Sequence, residues 1–121
     1  MTYQESLDFI HGIPRFGKKP GLRRIRRLLE RMGNPQDTLR FIHVAGTNGK
    51  GSTCAMVSRA LSRAGYRTGL YISPFVLDFR ERIQVDGEMI APRDLVQSTA
   101  LVKSHWDALN AEGEPPSEFE T

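Results

Sequence analysis

Lys50 stands among glycines in the run Gly46-Thr47-Asn48-Gly49-Lys50-Gly51-Ser52, and that mixture of residue types is suited to gripping phosphate. Glycines let successive backbone N–H groups close on phosphate oxygens, and a lysine among them brings a mobile charge to the outer phosphates. Such a loop must be delivered by a strand and followed by a helix, whose N-terminal N–H groups and dipole favour an anion. The flanks have that form. Phe41 to Ala45 is a short apolar run with β-branched residues, and Cys54, Met56, Val57, Ala60, Leu61 and Ala64 recur at helical spacing up to Gly65. A plain glycine-rich turn between strand and helix is the competing reading, which these flanks disfavour. In the general phosphate-loop pattern a Ser or Thr follows the lysine and holds a metal ion. Here Gly51 intervenes before Ser52 and Thr53, so the residue types alone leave the metal ligand open.

The elements around the loop follow from periodicity and turn chemistry. Thr68 to Ile72 is a second apolar, β-rich run, and a right-handed crossover would lay it parallel to the first. Ligands of open α/β sheets collect at the carboxyl ends of the strands, so Ser73-Pro74-Phe75 would then lie beside Lys50. A simple strand-to-loop turn fits the same three residues. Val76 to Arg82 carries mixed charge, and Glu81 to Ile90 has the form of a hairpin around Asp86-Gly87, a flap over the ligand edge. Pro92 can open a helix along which Leu95, Val102, Trp106 and Leu109 share a face to about Asn110, with Trp106 expected in the core.

Upstream, Thr2-Tyr3-Gln4-Glu5 is a capping-box pattern, and Tyr3, Leu7 and Ile10 continue a short helix to Gly12. His11 to Pro20 is broken by Gly12, Pro14, Gly17 and Pro20. Its Arg15, Lys18 and Lys19 suit either a solvated linker or a grip on an anion. Leu22, Ile25, Leu28, Leu29 and Met32 form one face of a helix whose other face is Arg23, Arg24, Arg26, Arg27 and Arg31. Without interleaved aromatics that arginine face is expected to be a solvated surface rather than a nucleic-acid site.

At 121 residues the chain is one domain at most, and 39% hydrophobic with 26% charged residues is an ordinary soluble composition. No apolar run approaches the ~20 residues of a membrane span and no signal-peptide core is present, so a cytoplasmic, non-membrane protein is expected. The single Cys54 excludes an internal disulfide or a cysteine metal cluster, and His11, His43 and His105 show no ligand spacing. Charge is unevenly spread: residues 1–40 hold nine Lys/Arg against four Asp/Glu, and residues 86–121 hold two against eight.

The run HVAGTNGKGST, followed by GLYISPFVLDFRERIQVDGEMI, closely resembles the folylpolyglutamate synthase / dihydrofolate synthase family of the Mur ligase superfamily. The resemblance runs from about Lys18 to the end of the chain. Other Mur ligases resemble GTNGK but continue with Thr, so Gly51 looks like a signature of the folate branch. The resemblance implies ATP-dependent ligation of L-glutamate to a folate or dihydropteroate carboxylate through an acyl phosphate, a step of folate biosynthesis and one-carbon metabolism. By it Thr47, Asn48, Gly49, Lys50, Gly51 and Ser52 match the ATP loop, with Lys50 the catalytic charge, and Ser73 matches a ligand of Mg2+. Phe75, the segment Ser117-Glu118-Phe119-Glu120 and, less closely, Lys18-Lys19-Pro20 match parts of the folate and pterin site.

The expected fold is α/β: residues 1–121 as the N-terminal portion of a P-loop Mur-ligase-type ATP-binding domain, with a parallel sheet flanked by helices, incomplete at Thr121. The family's magnesium-binding Glu and His, its carbamylated Lys and its C-terminal domain are absent from this sequence. The chain is therefore expected to be part of a protein about three times longer, inactive alone. Unpaired strand edges and a half-built core imply marginal stability or self-association. The competing functions are a Mur ligase acting on a UDP-sugar peptide, disfavoured by Gly51, and a non-catalytic nucleotide- or nucleic-acid-binding module.

Overall fold

A computed structural model describes residues 1–15 and 21–121. The chain divides into a helical unit, Met1–Arg40 with Leu95–Thr121, and a mixed unit, Phe41–Asp94.

In the helical unit α1 (Tyr3–Gly12) begins at the expected capping box: Thr2 Oγ1 accepts from the Glu5 N–H, and Glu5 accepts from the Thr2 N–H. The second helix, α2 (Arg23–Arg31), turns Leu28 inward and ends in a Schellman closure, with the Asn34 N–H donating to Leu29 O at 2.8 Å. A short 3-10 turn, Pro35–Thr38, follows. The core gathers Ser6, Ile13, Leu28, Leu95, Thr99, Leu109, Pro116 and Ser117. Trp106 is half-buried, as its indole requires: the ring meets Phe9 edge-on at 5.6 Å while Nε1 donates to Pro116 O at 2.8 Å.

The arginine face of α2 is engaged rather than merely solvated. Arg23 and Arg27 pair with Glu114, Arg27 and Arg31 with Glu112, and Arg24 with Glu120 at 3.0 Å. The basic start and acidic end of the chain thus neutralise each other inside one unit. Burial pushes the Glu120 carboxyl up, but hydrogen bonds from Ser117 and Arg24 outweigh it and leave the group below its ordinary value. Side-chain bonding to Arg27 likewise lowers Glu114.

The mixed unit holds α3 (Lys50–Arg63), β1 (Gly69–Tyr71), a 3-10 turn at Phe79–Arg82, β2 (Ile83–Val85), β3 (Glu88–Met89) and the start of α4 (Pro92–Ala111). Helix α3 ends as Gly65 suggests, with the Tyr66 N–H donating to Leu61 O at 3.1 Å. The expected hairpin is present: Val85 faces Glu88, and Asp86 and Gly87 take φ 50° and 83°, the type I′ turn that Asp-Gly favours. Asp86 also accepts from Thr68 N (2.9 Å) and Ser62 Oγ (3.0 Å), tying the turn to the end of α3 and the approach to β1.

The sheet departs from expectation. Its order is β1-β2-β3 and both pairings are antiparallel, with Leu70 opposite Gln84. Phe41 to Ala45 is not a strand, and Phe41 and Ile42 are exposed. A strand exists only where a neighbour supplies hydrogen bonds. The local hairpin supplies them to one edge of β1, and no described residue pairs with its other edge or with Phe41–Ala45. The expected parallel sheet is therefore not formed among the described residues.

Arg24→Ala should lower stability by about 2 kcal/mol, because Glu120 would stay in place without its cation. The exposed Arg26, which makes no ion pair among the described residues, should change stability by less than about 0.5 kcal/mol when made Ala. Urea unfolding of both variants checks this. Because the folded Glu120 and Glu114 carboxyls lie below their ordinary value of 4.5, their contribution is complete above that pH and is lost as pH falls through the folded values. Far-UV circular dichroism during acid titration should show helix melting below pH 4.5, earlier in Glu120→Gln; superimposable titrations would contradict the assignment.

Candidate functional site

The glycine-rich loop enters α3 without any side-chain cap. Gly49 is the N-cap residue and takes φ 77°, a left-handed conformation that lets the chain turn sharply into the helix at Lys50. The first helical hydrogen bond runs from Thr53 N to Gly49 O at 2.9 Å, so the earlier N–H groups have no partner further up the helix. No acidic residue occupies the first turn. A Cβ built at Gly46, Gly49 or Gly51 would meet nothing within 4 Å, so the face over the glycines is open to a ligand. Free N–H groups, the positive end of the helix dipole and open space are the features that favour an anion.

Lys50 closes over this loop. Its Nζ donates to Gly46 O at 2.6 Å and Thr47 O at 3.3 Å, holding the charge at the mouth of the turn. Both bonds are to neutral carbonyls at an exposed position, which a phosphate oxygen can outcompete. Thr47, Asn48, Gly51 and Ser52 are exposed around it. The whole expected ATP-loop set, residues 47–52, is thus one contiguous surface.

Ser73 comes two residues after β1, at an exposed position joined to Pro74 by a cis peptide bond. Phe75 packs edge-on against the buried Phe79 at 5.8 Å, and the Arg82 guanidinium lies 5.5 Å from the Phe75 ring and 5.4 Å from the Phe79 ring. Among the described residues no group of three or more His, Cys, Asp and Glu could hold a metal ion. Magnesium carried on nucleotide phosphates needs only one or two protein oxygens, and the exposed Ser73 hydroxyl is chemically suited to be one.

The expected pterin segment divides by role. Ser117 is buried, and its N–H and hydroxyl donate to Glu120 at 2.8 and 2.9 Å. Glu120 is in turn paired with Arg24, and the Glu118 N–H donates to Pro14 O at 2.9 Å. Those bonds build the helical unit, leaving the 86% exposed Phe119 as the residue of the four most available to a ligand. Lys18, Lys19 and Pro20 lie outside the described residues.

One group escaped attention in the sequence. The Glu81 carboxylate accepts from the backbone N–H of Val76, Leu77 and Asp78, bonds that hold it below the ordinary carboxylate value, that of Asp78 most strongly. The signal was there: Asp78-Phe79-Arg80-Glu81 is a second capping-box pattern.

A glycine-rich loop and an uncapped helix start carrying a lysine lie together in an α/β chain, and comparison with known proteins gives its family. The dihydrofolate synthase/folylpolyglutamate synthase of Bacillus subtilis is 44% identical over 120 residues, 98% of this chain and 28% of that protein. The solved folylpolyglutamate synthetase from Lactobacillus casei superposes with a TM-score of 0.92 at 41% identity, over 99% of this chain and 30% of that one. A solved folylpolyglutamate synthase complex with AMPPCP and folate gives 0.92 at 42% identity over the same shares. No protein-family model matches. The chain belongs to the folylpolyglutamate synthase / dihydrofolate synthase family, and spans less than a third of the length of these relatives.

Gly49→Ala should cost about 1–2 kcal/mol, the strain of a side chain in the left-handed region. Gly12→Ala, in helical backbone with open space around it, should be neutral or stabilising by up to about 1 kcal/mol. Chemical denaturation of the pair checks the difference; equal effects would mean that the Gly49 conformation is not required.

Proposed function

We propose that this chain is the N-terminal, ATP-gripping portion of an ATP-dependent ligase that joins L-glutamate to folate, and also to dihydropteroate. The observation that carries the reading is Lys50 at the start of an uncapped helix, over a glycine loop with no acidic side chain in its first turn. The relatives' names and the AMPPCP-folate complex of one of them support the choice of nucleotide and acceptor.

In this reading the N–H groups from Gly49 to Ser52 seat the β- and γ-phosphates, and Lys50 swings from the Gly46 and Thr47 carbonyls onto the γ-phosphoryl group. Its charge offsets the negative charge that spreads over that group as it passes to the folate carboxylate. The acyl phosphate so formed is attacked by the glutamate amine, which forms the amide and expels phosphate. Magnesium would neutralise phosphate charge, held in part by the Ser73 hydroxyl. Phe75 would present aromatic surface to the pterin side.

In the intact enzyme, Phe41–Ala45 would become a strand parallel to β1 on its open edge, covering Phe41 and Ile42. The 121-residue chain alone would be inactive and prone to self-association through that edge; sedimentation velocity giving one compact monomer at all concentrations would refute the latter. No helix among the described residues is long and apolar enough to cross a membrane, consistent with a cytoplasmic enzyme. The nucleic-acid reading loses its support because four arginines of α2 are paired with carboxylates. A UDP-sugar-peptide ligase is disfavoured by Gly51.

The test is ligation of labelled glutamate by the intact enzyme with ATP, offering dihydropteroate and tetrahydrofolate separately. Product with both is expected, with kcat/KM falling at least about 100-fold in Lys50→Ala. Product with tetrahydrofolate alone would remove the dihydrofolate synthase half, and no product with either would overturn the reading.

A further inference from the structure

Between Ile72 and Arg82 the chain makes a loop whose base is closed by the Ile72 N–H donating to Arg82 O at 3.1 Å. Its tip is Val76-Leu77, and these apolar side chains are 82% and 92% exposed. Loop tips usually carry small or polar residues, and hydrophobic burial cannot hold a tip that is not buried. The tip is held by Glu81 instead. Its carboxylate takes three successive backbone donors, Val76 at 3.2 Å, Leu77 at 2.7 Å and Asp78 at 2.6 Å. Asp78 completes the arrangement by accepting from Arg80 N at 2.9 Å and clasping the Arg80 guanidinium at 2.6 Å. On the other flank Arg82 lies over Phe75 and Phe79. A carboxylate satisfying three adjacent amides fixes the backbone on both sides of Leu77, and with it the approach from Ser73 and Phe75.

We propose that Glu81 is a positioning residue of the ligation site: by bonding the amides of residues 76–78 it holds the Ser73–Leu77 segment in the conformation that receives the acceptor substrate. The inference rests on the ligase reading above. Glu81 does not touch the reacting atoms, so its loss should weaken acceptor binding and leave the phosphate loop unaffected.

Glu81→Gln keeps the shape with one acceptor oxygen, and Glu81→Ala removes the acceptor altogether. In Glu81→Ala the Val76, Leu77 and Asp78 amides should exchange with deuterium at least about ten-fold faster, and in Glu81→Gln by less, while amides of α3 keep their rates. In the intact enzyme Glu81→Gln should raise the KM for the folate acceptor at least about five-fold and hold the KM for ATP within about two-fold. Unchanged exchange at residues 76–78 would overturn the proposal. So would faster exchange with an unchanged acceptor KM, or a parallel rise of both KM values with a fall in thermal midpoint, which would mark a structural role. If the unaltered enzyme makes no product with any folate acceptor, the ligase reading fails and this proposal with it. Product formed at unchanged KM overturns this proposal alone.

Discussion

The mixed unit depends on one unsatisfied end. Helix α3 begins with no side chain to cap its N–H groups, and the loop before it places Gly49 where most helices would place Ser, Thr, Asp or Asn. An uncapped helix start costs stability, roughly 1 kcal/mol against a capped one. The same vacancy of acceptors makes the position receptive to phosphate. Gly49 in its left-handed conformation and Lys50 folded onto Gly46 and Thr47 are both arrangements around that end.

Several other turns are held by carboxylates. Glu5 closes the start of α1, Asp78 and Glu81 close the 3-10 turn after the loop tip, Asp86 ties the hairpin to α3, and Glu120 organises the C-terminal turn. The Glu5, Glu81, Asp86 and Glu120 carboxyls lie below their ordinary values because backbone or neighbouring donors bond the charged form. Among the described residues, few of whose apolar side chains are buried, local order therefore comes to a large extent from ionised carboxylates. Helix α3 starts without one, as α2 does, and of the two only α3 follows a glycine-rich loop that carries a lysine.

What could be read from the sequence was what depends on neighbours in the sequence. Thr2 and Glu5 mark the start of α1, Gly65 the end of α3, Pro92 the start of α4, and Asp86-Gly87 the hairpin turn, all as found. The glycine-rich turn into α3 was legible for the same reason, since its glycines and lysine are contiguous. Illegible features were those made across distance. Phe41–Ala45 has strand composition, yet composition supplies no partner, and β1 pairs with the hairpin that follows it instead. The partners of the α2 arginines stand 81 to 96 residues away, announced only by the opposite charge of the two ends. Equally, no sequence pattern announces the bonds of Ser117 and Arg24 to Glu120 within the helical unit.

The most direct measurement is a crystal structure of the intact enzyme with AMPPCP. The expected result places the outer phosphates on the amides from Gly49 to Ser52, with Lys50 Nζ moved off Gly46 O and Thr47 O onto a phosphate oxygen. A nucleotide bound elsewhere, or bound at this loop with Lys50 still on the two carbonyls, would contradict the assignment of this loop as the ATP site.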